Sequence, residues 1–99
     1  MTTTPRQLVT IITEAVVERR IIDDIKKCGA KGYSLSHVRG EGTTGKHTLD
    51  LNGSSIRLET VVTDTVAEAI LEMLAADYFD TFATVAWVSP VNVARPERY

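Results

Sequence analysis

The chain has 99 residues, 43% of them hydrophobic and 24% charged, a balance close to the globular average. That balance argues against disordered, collagen-like and coiled-coil classes, and the length fits one domain, residues 1–99. Eleven Lys and Arg against thirteen Asp and Glu leave a net charge of −2, the wrong sign for a sequence-blind nucleic-acid binder. No apolar run reaches the ~18 residues of a membrane-spanning helix. Met1 to Arg6 holds one basic residue and no apolar stretch ahead of a cleavage site, so no secretory signal is expected. The single cysteine, Cys28, has no partner for an internal disulfide, which suits a reducing, cytoplasmic setting.

Leu8 to Thr13 is short, apolar and β-branched, the composition of a buried strand. Helical spacing follows, with Val17, Ile21, Ile25 and Cys28 on one stripe. A helix is expected over Glu14 to Cys28, with Glu14 in its first turn, Lys26 and Lys27 in its last, and Gly29 closing it. Tyr33 to Val38 alternates as a second strand, on which His37 reads as a packed residue. Residues 39–54 hold four glycines without helical period and read as a long loop. Asn52-Gly53 is a hairpin signal near its end. Ile56 to Val62 is a third strand, with Ile56, Leu58, Thr60 and Val62 on one face and Arg57, Glu59 and Val61 on the other.

A second helix starts between Thr63 and Thr65, and Thr65 with Glu68 has capping-box spacing. Val66, Ile70, Met73, Leu74 and Tyr78 form its stripe. Phe82 to Ser89 is a fourth strand, apolar on both faces, with Trp87 on the outer one. Pro90 to Tyr99 reads as an irregular tail carrying Arg95 and Arg98. The order β-α-β-loop-β-α-β predicts an α+β, ferredoxin-like split architecture with helices on one face of an antiparallel sheet. A strand apolar on both faces then needs cover from another subunit.

Gly40-Glu41-Gly42-Thr43-Thr44-Gly45 matches a dinucleotide fingerprint, and with Lys46 the start of a P-loop. Context opposes both. His47 stands where the P-loop needs Ser or Thr, and no helix follows. The same glycines can still present backbone N–H groups to an anion beside Lys46, or form a solvated loop. Arg95 and Arg98 carry forks that suit phosphate, or are a solvated terminus. His37, His47 and Cys28 fit no zinc spacing, and Cys28 near a helix C-terminus reads as an inert core thiol. No nucleophile with a base beside it is marked. Glu59 and Arg57 either pair locally or line a subunit cleft.

The string Gly-Ala-Lys-Gly-Tyr-Ser-Leu-Ser-His-Val-Arg-Gly-Glu-Gly at 29–42 resembles the second-strand segment of the PII signalling superfamily. Thr13-Glu14, Asp77-Tyr78-Phe79 and Trp87-Val88-Ser89-Pro90 fit the same family. Together they look most like the PII-like proteins encoded with bicarbonate transporters and carboxysomes. The resemblance implies a homotrimer with adenine nucleotides, ADP or AMP, in the clefts between subunits. It implies a mobile T-loop that contacts a partner protein of inorganic-carbon uptake or carboxysome function. Two departures stand out. Residues 76–89 hold neither the glycines nor the lysine of the phosphate loop in nitrogen-type members. Loop 39–54 has no tyrosine to be uridylylated. On this reading Gly40, Glu41, Gly42, Lys46, Glu59, Arg95 and Arg98 bind nucleotide, and Gly42, Thr43, Thr44, Lys46 and Arg98 bind bicarbonate. No cofactor, metal, catalytic residue or membrane insertion is implied. The rival readings are a slow nucleotide phosphohydrolase with Glu41 or Glu59 as base, or a ligand-free oligomeric scaffold.

Overall fold

The computed structural model describes residues 1–40 and 55–99. In chain order these form β1 (Thr4–Glu14), a 3-10 turn (Ala15–Val17), α1 (Glu18–Cys28), β2 (Ser34–Val38), β3 (Ser55–Val62), α2 (Asp64–Asp77), β4 (Val85–Val93) and a closing 3-10 turn (Pro96–Arg98). The strands make one sheet in the order β2-β3-β1-β4, and each neighbouring pair is antiparallel. This is the expected ferredoxin-like α+β architecture. Each helix carries the chain from one sheet strand to another that is not its neighbour.

Alternation along the strands decides which face the helices cover. Val9 and Ile11 of β1 and Ile56, Leu58 and Val62 of β3 point to that face and are buried. Ile21 and Ile25 of α1, and Ala67, Ile70 and Leu74 of α2, pack down on them. Each fully buried branched side chain contributes about 1.5–3 kcal/mol.

Several boundaries differ from the sequence reading, each for a packing reason. β1 is longer than Leu8 to Thr13, because it pairs on both sides: Thr4 opposite Val93 of β4, and Glu14 opposite Ser55 of β3. Glu14 therefore ends a strand and is not in a helix turn. Its carboxylate accepts the Ala83 N–H at 2.7 Å instead, tying the segment after α2 to the end of β1. α1 starts at Glu18, after the 3-10 turn. The cap of α2 is Thr63, whose hydroxyl accepts the Val66 N–H at 3.4 Å, so Thr65 lies inside the helix and forms no capping box.

β4 runs later than expected. Phe82 closes the turn after α2, donating its N–H to the Tyr78 carbonyl at 2.9 Å, and packs on the Tyr78 ring. At the other end β4 continues through Pro90 to Val93, so the tail begins at Ala94. A proline is tolerated there because β4 is an edge strand. Tyr78 is fully buried. Its hydroxyl donates to Asp24 at 2.6 Å, and the Arg20 guanidinium stacks 4.7 Å above its ring, joining the two helices. Burial, and then the bond to Asp24, push its phenol well above the usual range. Burial likewise raises the Cys28 thiol, with Asp24 adding to it, which fits an inert thiol packed against the core.

Gly29 ends α1 with φ of 118°, a region L side chains avoid, and a Cβ there would lie 2.9 Å from Val66 Cγ2. Gly29→Ala should cost about 1–3 kcal/mol in urea unfolding. Gly32→Ala, whose added Cβ meets no atom within 4 Å, is the control and should stay within about 1 kcal/mol. Equal losses in the two variants would refute the backbone argument.

Candidate functional site

Antiparallel register places the ends of β1 and β4 beside the entry to β2. A cleft of about 690 Å³ opens there. Lys31, Gly32, Tyr33 and Ser34 form one wall; Glu59, Thr60 and Val61 of β3 with Leu8 of β1 form the floor. Val93, Ala94, Arg95, Arg98 and Tyr99 form the other wall. The wall before β2 is pinned by the Thr60 hydroxyl, which donates to the Gly32 carbonyl at 2.6 Å.

The chemistry of the lining is uneven. Leu8, Val61 and Val93 give an apolar patch, and Tyr33 and Tyr99 give two aromatic rings. Among the described residues, Lys31, Arg95 and Arg98 bring cations to the lining and Glu59 a side-chain carboxylate. Glu59 is held in place from the sheet. The hydroxyl of Thr10, itself buried, donates to its Oε2 at 2.9 Å, and Arg57 approaches the same oxygen at 3.4 Å. Register explains this: Ser34, Glu59, Thr10 and Trp87 form one row across the sheet. Arg95 lies 3.5 Å from Glu97, with both side chains about two-thirds exposed, so that pair contributes little. Its fork remains available to an anion. Such a cleft suits a ligand with an apolar planar part and an anionic part.

Of the residues singled out from the sequence, Glu59, Arg95 and Arg98 come together in this cleft. Gly40 is exposed and is not in its lining. Glu41, Gly42, Thr43, Thr44 and Lys46 lie outside the described residues, as do His47 and the Asn52-Gly53 hairpin signal. His37 is not packed as expected. It is exposed and stands 3.7 Å from Glu18. Lys31, Tyr33, Tyr99 and Thr10 were missed as site residues. Lys31 and Tyr33 sat within the Gly-Ala-Lys-Gly-Tyr string, which was a usable signal; nothing local marked Thr10.

The sheet face away from the helices carries Leu8, Ile12 and Val61, half-buried, with Val85 57% and Trp87 46% exposed. Among the described residues no cluster of three His, Cys, Asp or Glu is placed to hold a metal, and no helix is long and apolar enough to cross a membrane.

The model for the family described as nitrogen regulatory protein P-II matches residues 6–98, a span that includes most of this cleft. Among solved structures, a PII-like signalling protein from Thermus thermophilus is 43% identical, with a TM-score of 0.87 over 100% of this chain and 99% of that one. CPII from Thiomonas intermedia, bound to ADP, AMP and acetate, is 22% identical, with a TM-score of 0.85 over 100% of this chain and 98% of that one. The same protein bound to ADP and bicarbonate is 23% identical, with a TM-score of 0.85 over 98% and 96% of the two chains.

Proposed function

We propose that this chain, which belongs to the nitrogen regulatory protein P-II family, is a non-enzymatic regulator that binds adenine nucleotides in its cleft and bicarbonate beside them. The observation that carries the reading is the cleft itself, where Lys31, Arg95 and Arg98 stand beside the apolar Leu8, Val61 and Val93 and the rings of Tyr33 and Tyr99. Adenine suits the apolar part, with backbone groups near β2 and the end of β4 as its polar partners. Phosphates suit the cations. CPII is described with ADP, AMP and bicarbonate bound, which supports the choice of ligands.

In this reading Arg95, Arg98 and Glu59 act in the cleft, and Gly40, Glu41, Gly42 and Lys46 of loop 39–54 also bind the nucleotide. Gly42, Thr43, Thr44 and Lys46, with Arg98, take bicarbonate. The regulator is a cytoplasmic homotrimer whose nucleotides lie between subunits. It reports carbon or energy status to a protein of inorganic-carbon uptake or carboxysome function. Support for assembly comes from the sheet face that leaves Val85 and Trp87 exposed. Light scattering on a sizing column should give the mass of three chains; a monomer at micromolar concentration overturns the assembly.

Charge-assisted contacts to phosphate contribute about 1.5–3 kcal/mol each. Arg98→Ala and Arg95→Ala should therefore each weaken ADP about ten- to a hundredfold in calorimetry. Unchanged affinity in both variants would make the tail a solvated terminus and refute the phosphate role.

Bicarbonate and the nucleotide phosphates would order the same loop, so binding one lowers the ordering cost left for the other. Repulsion between the two anions opposes this, and Lys46 and Arg98 offset it. The expected coupling is positive and reciprocal, about 1–3 kcal/mol. ADP titration at fixed pH and ionic strength, with chloride exchanged for bicarbonate, reads it directly. An ADP affinity that stays constant across millimolar bicarbonate leaves a plain adenylate sensor.

A further inference from the structure

Arg6 stands in β1, opposite Val91 of β4. Its guanidinium reaches the tail. Nη2 donates to the Pro96 carbonyl at 3.4 Å, and Nη1 to the Pro5 carbonyl at 2.9 Å. Pro96 opens the 3-10 turn that separates Arg95 from Arg98. The same Pro96 oxygen accepts the Tyr99 N–H at 3.1 Å, so both its lone pairs are used.

Among the described residues, the other hydrogen bonds of the tail are local ones within it. Its turn is three residues long, and a single 3-10 turn is marginal without outside contacts. Among the described residues, the Arg95 side chain hydrogen-bonds its near neighbour Glu97. Among the described residues, Arg6 is the one side chain outside 94–99 that hydrogen-bonds into the tail. Its Nε is also buried without a partner among those residues. What its placement does achieve is to hold the segment between two arginines of the cleft.

We propose that Arg6 is a positioning residue. It fixes the Pro96–Arg98 turn over the cleft, so that Arg95 and Arg98 are presented to an anionic ligand before it arrives. This rests on the nucleotide-binding reading above. Preorganisation of this kind shows in affinity, because the ligand no longer has to order the arginines itself.

The test is calorimetry with ADP and with adenosine on wild type, Arg6→Met, Arg6→Gln and the Arg95→Ala/Arg98→Ala pair. Methionine keeps an apolar stem and loses the donors; glutamine keeps a neutral donor. Arg6→Met should weaken ADP about tenfold. It should leave adenosine, which has no phosphate, unchanged. Arg6→Gln should recover part of the loss, since a clamp needs a donor more than a charge. Added to the Arg95→Ala/Arg98→Ala pair, Arg6→Met should cost nothing further, because the groups it positions are gone. An independent structural role would instead add its full loss in that background, and that result overturns the proposal. So does a glutamine variant as weak as the methionine one, which would make Arg6 a direct charge contact. If Arg95→Ala and Arg98→Ala weaken ADP while Arg6→Met does not, the positioning role fails and the nucleotide reading stands. If wild type does not bind ADP, both fall.

Discussion

β1 is paired on both sides, and the rest of the molecule takes its register from that fact. Val9 sits opposite Thr60 of β3 and Val88 of β4, and Ile11 opposite Leu58 and Ala86. A one-residue slip would turn Val9 and Ile11 out of the core and bring Thr10 in. The helix-side core allows only one answer. Once it is chosen, Thr10 must lie on the other face beside Glu59. The bond that fixes the carboxylate of the cleft is thus a consequence of the packing that fixes the core.

The same register leaves one sheet face to solvent within a single chain. Both helices lie on the opposite side, where Ile21, Ile25, Ile70 and Leu74 are buried. Trp87 remains 46% exposed and Val85 57%, on the edge strand of that open face. Val85 and Trp87 adjoin the half-buried Ile12 and Leu8 on this face, and a contiguous exposed apolar patch marks an interaction surface. The cleft opens at the end of this face, where Leu8 and Val61 lead into it. In the proposed function, assembly and ligand binding would therefore use adjoining surfaces, because the open face runs into the cleft.

The fold was largely legible because its signals are local and periodic. The α1 stripe through Ile21 and Ile25 and the alternation of Ile56, Leu58, Thr60 and Val62 gave the elements and their buried faces. What failed were boundaries settled by distant partners. Thr4 to Gln7 carry no strong strand signal, and they are extended because Val93 to Pro90 pair with them. Glu14 reads as a helix-start acid until Ala83 appears beside it. Pro90 reads as a strand stop, and only knowledge that β4 is an edge removes that reading. The candidate site divides the same way. Arg95 and Arg98 are visible as arginines in a short tail. Lys31 is hidden, because its place in the cleft depends on the Thr60 bond to Gly32, 28 residues apart in sequence.

Net charge and local charge point in opposite directions, and the cleft resolves the conflict. The whole chain is slightly acidic, at −2. Many of its acids lie on the two helices and outside the cleft lining, among them Glu18, Asp23, Asp64, Glu68 and Glu72. Among the described residues, the cleft instead gathers the side chains of Lys31, Arg95 and Arg98 against that of Glu59. Potential is set by what is near, since charges beyond about 8–10 Å are largely screened at physiological salt. An acidic chain can therefore present a selective anion site while repelling polyanions elsewhere on its surface. Glu59 sharpens this choice. In the proposed function, a carboxylate among the cations would disfavour an anion that fills the whole cleft and favour a ligand whose phosphate stays near the arginines and whose hydrogen-bond donors reach the sheet. A nucleotide has that division of charge; a bare polyphosphate does not.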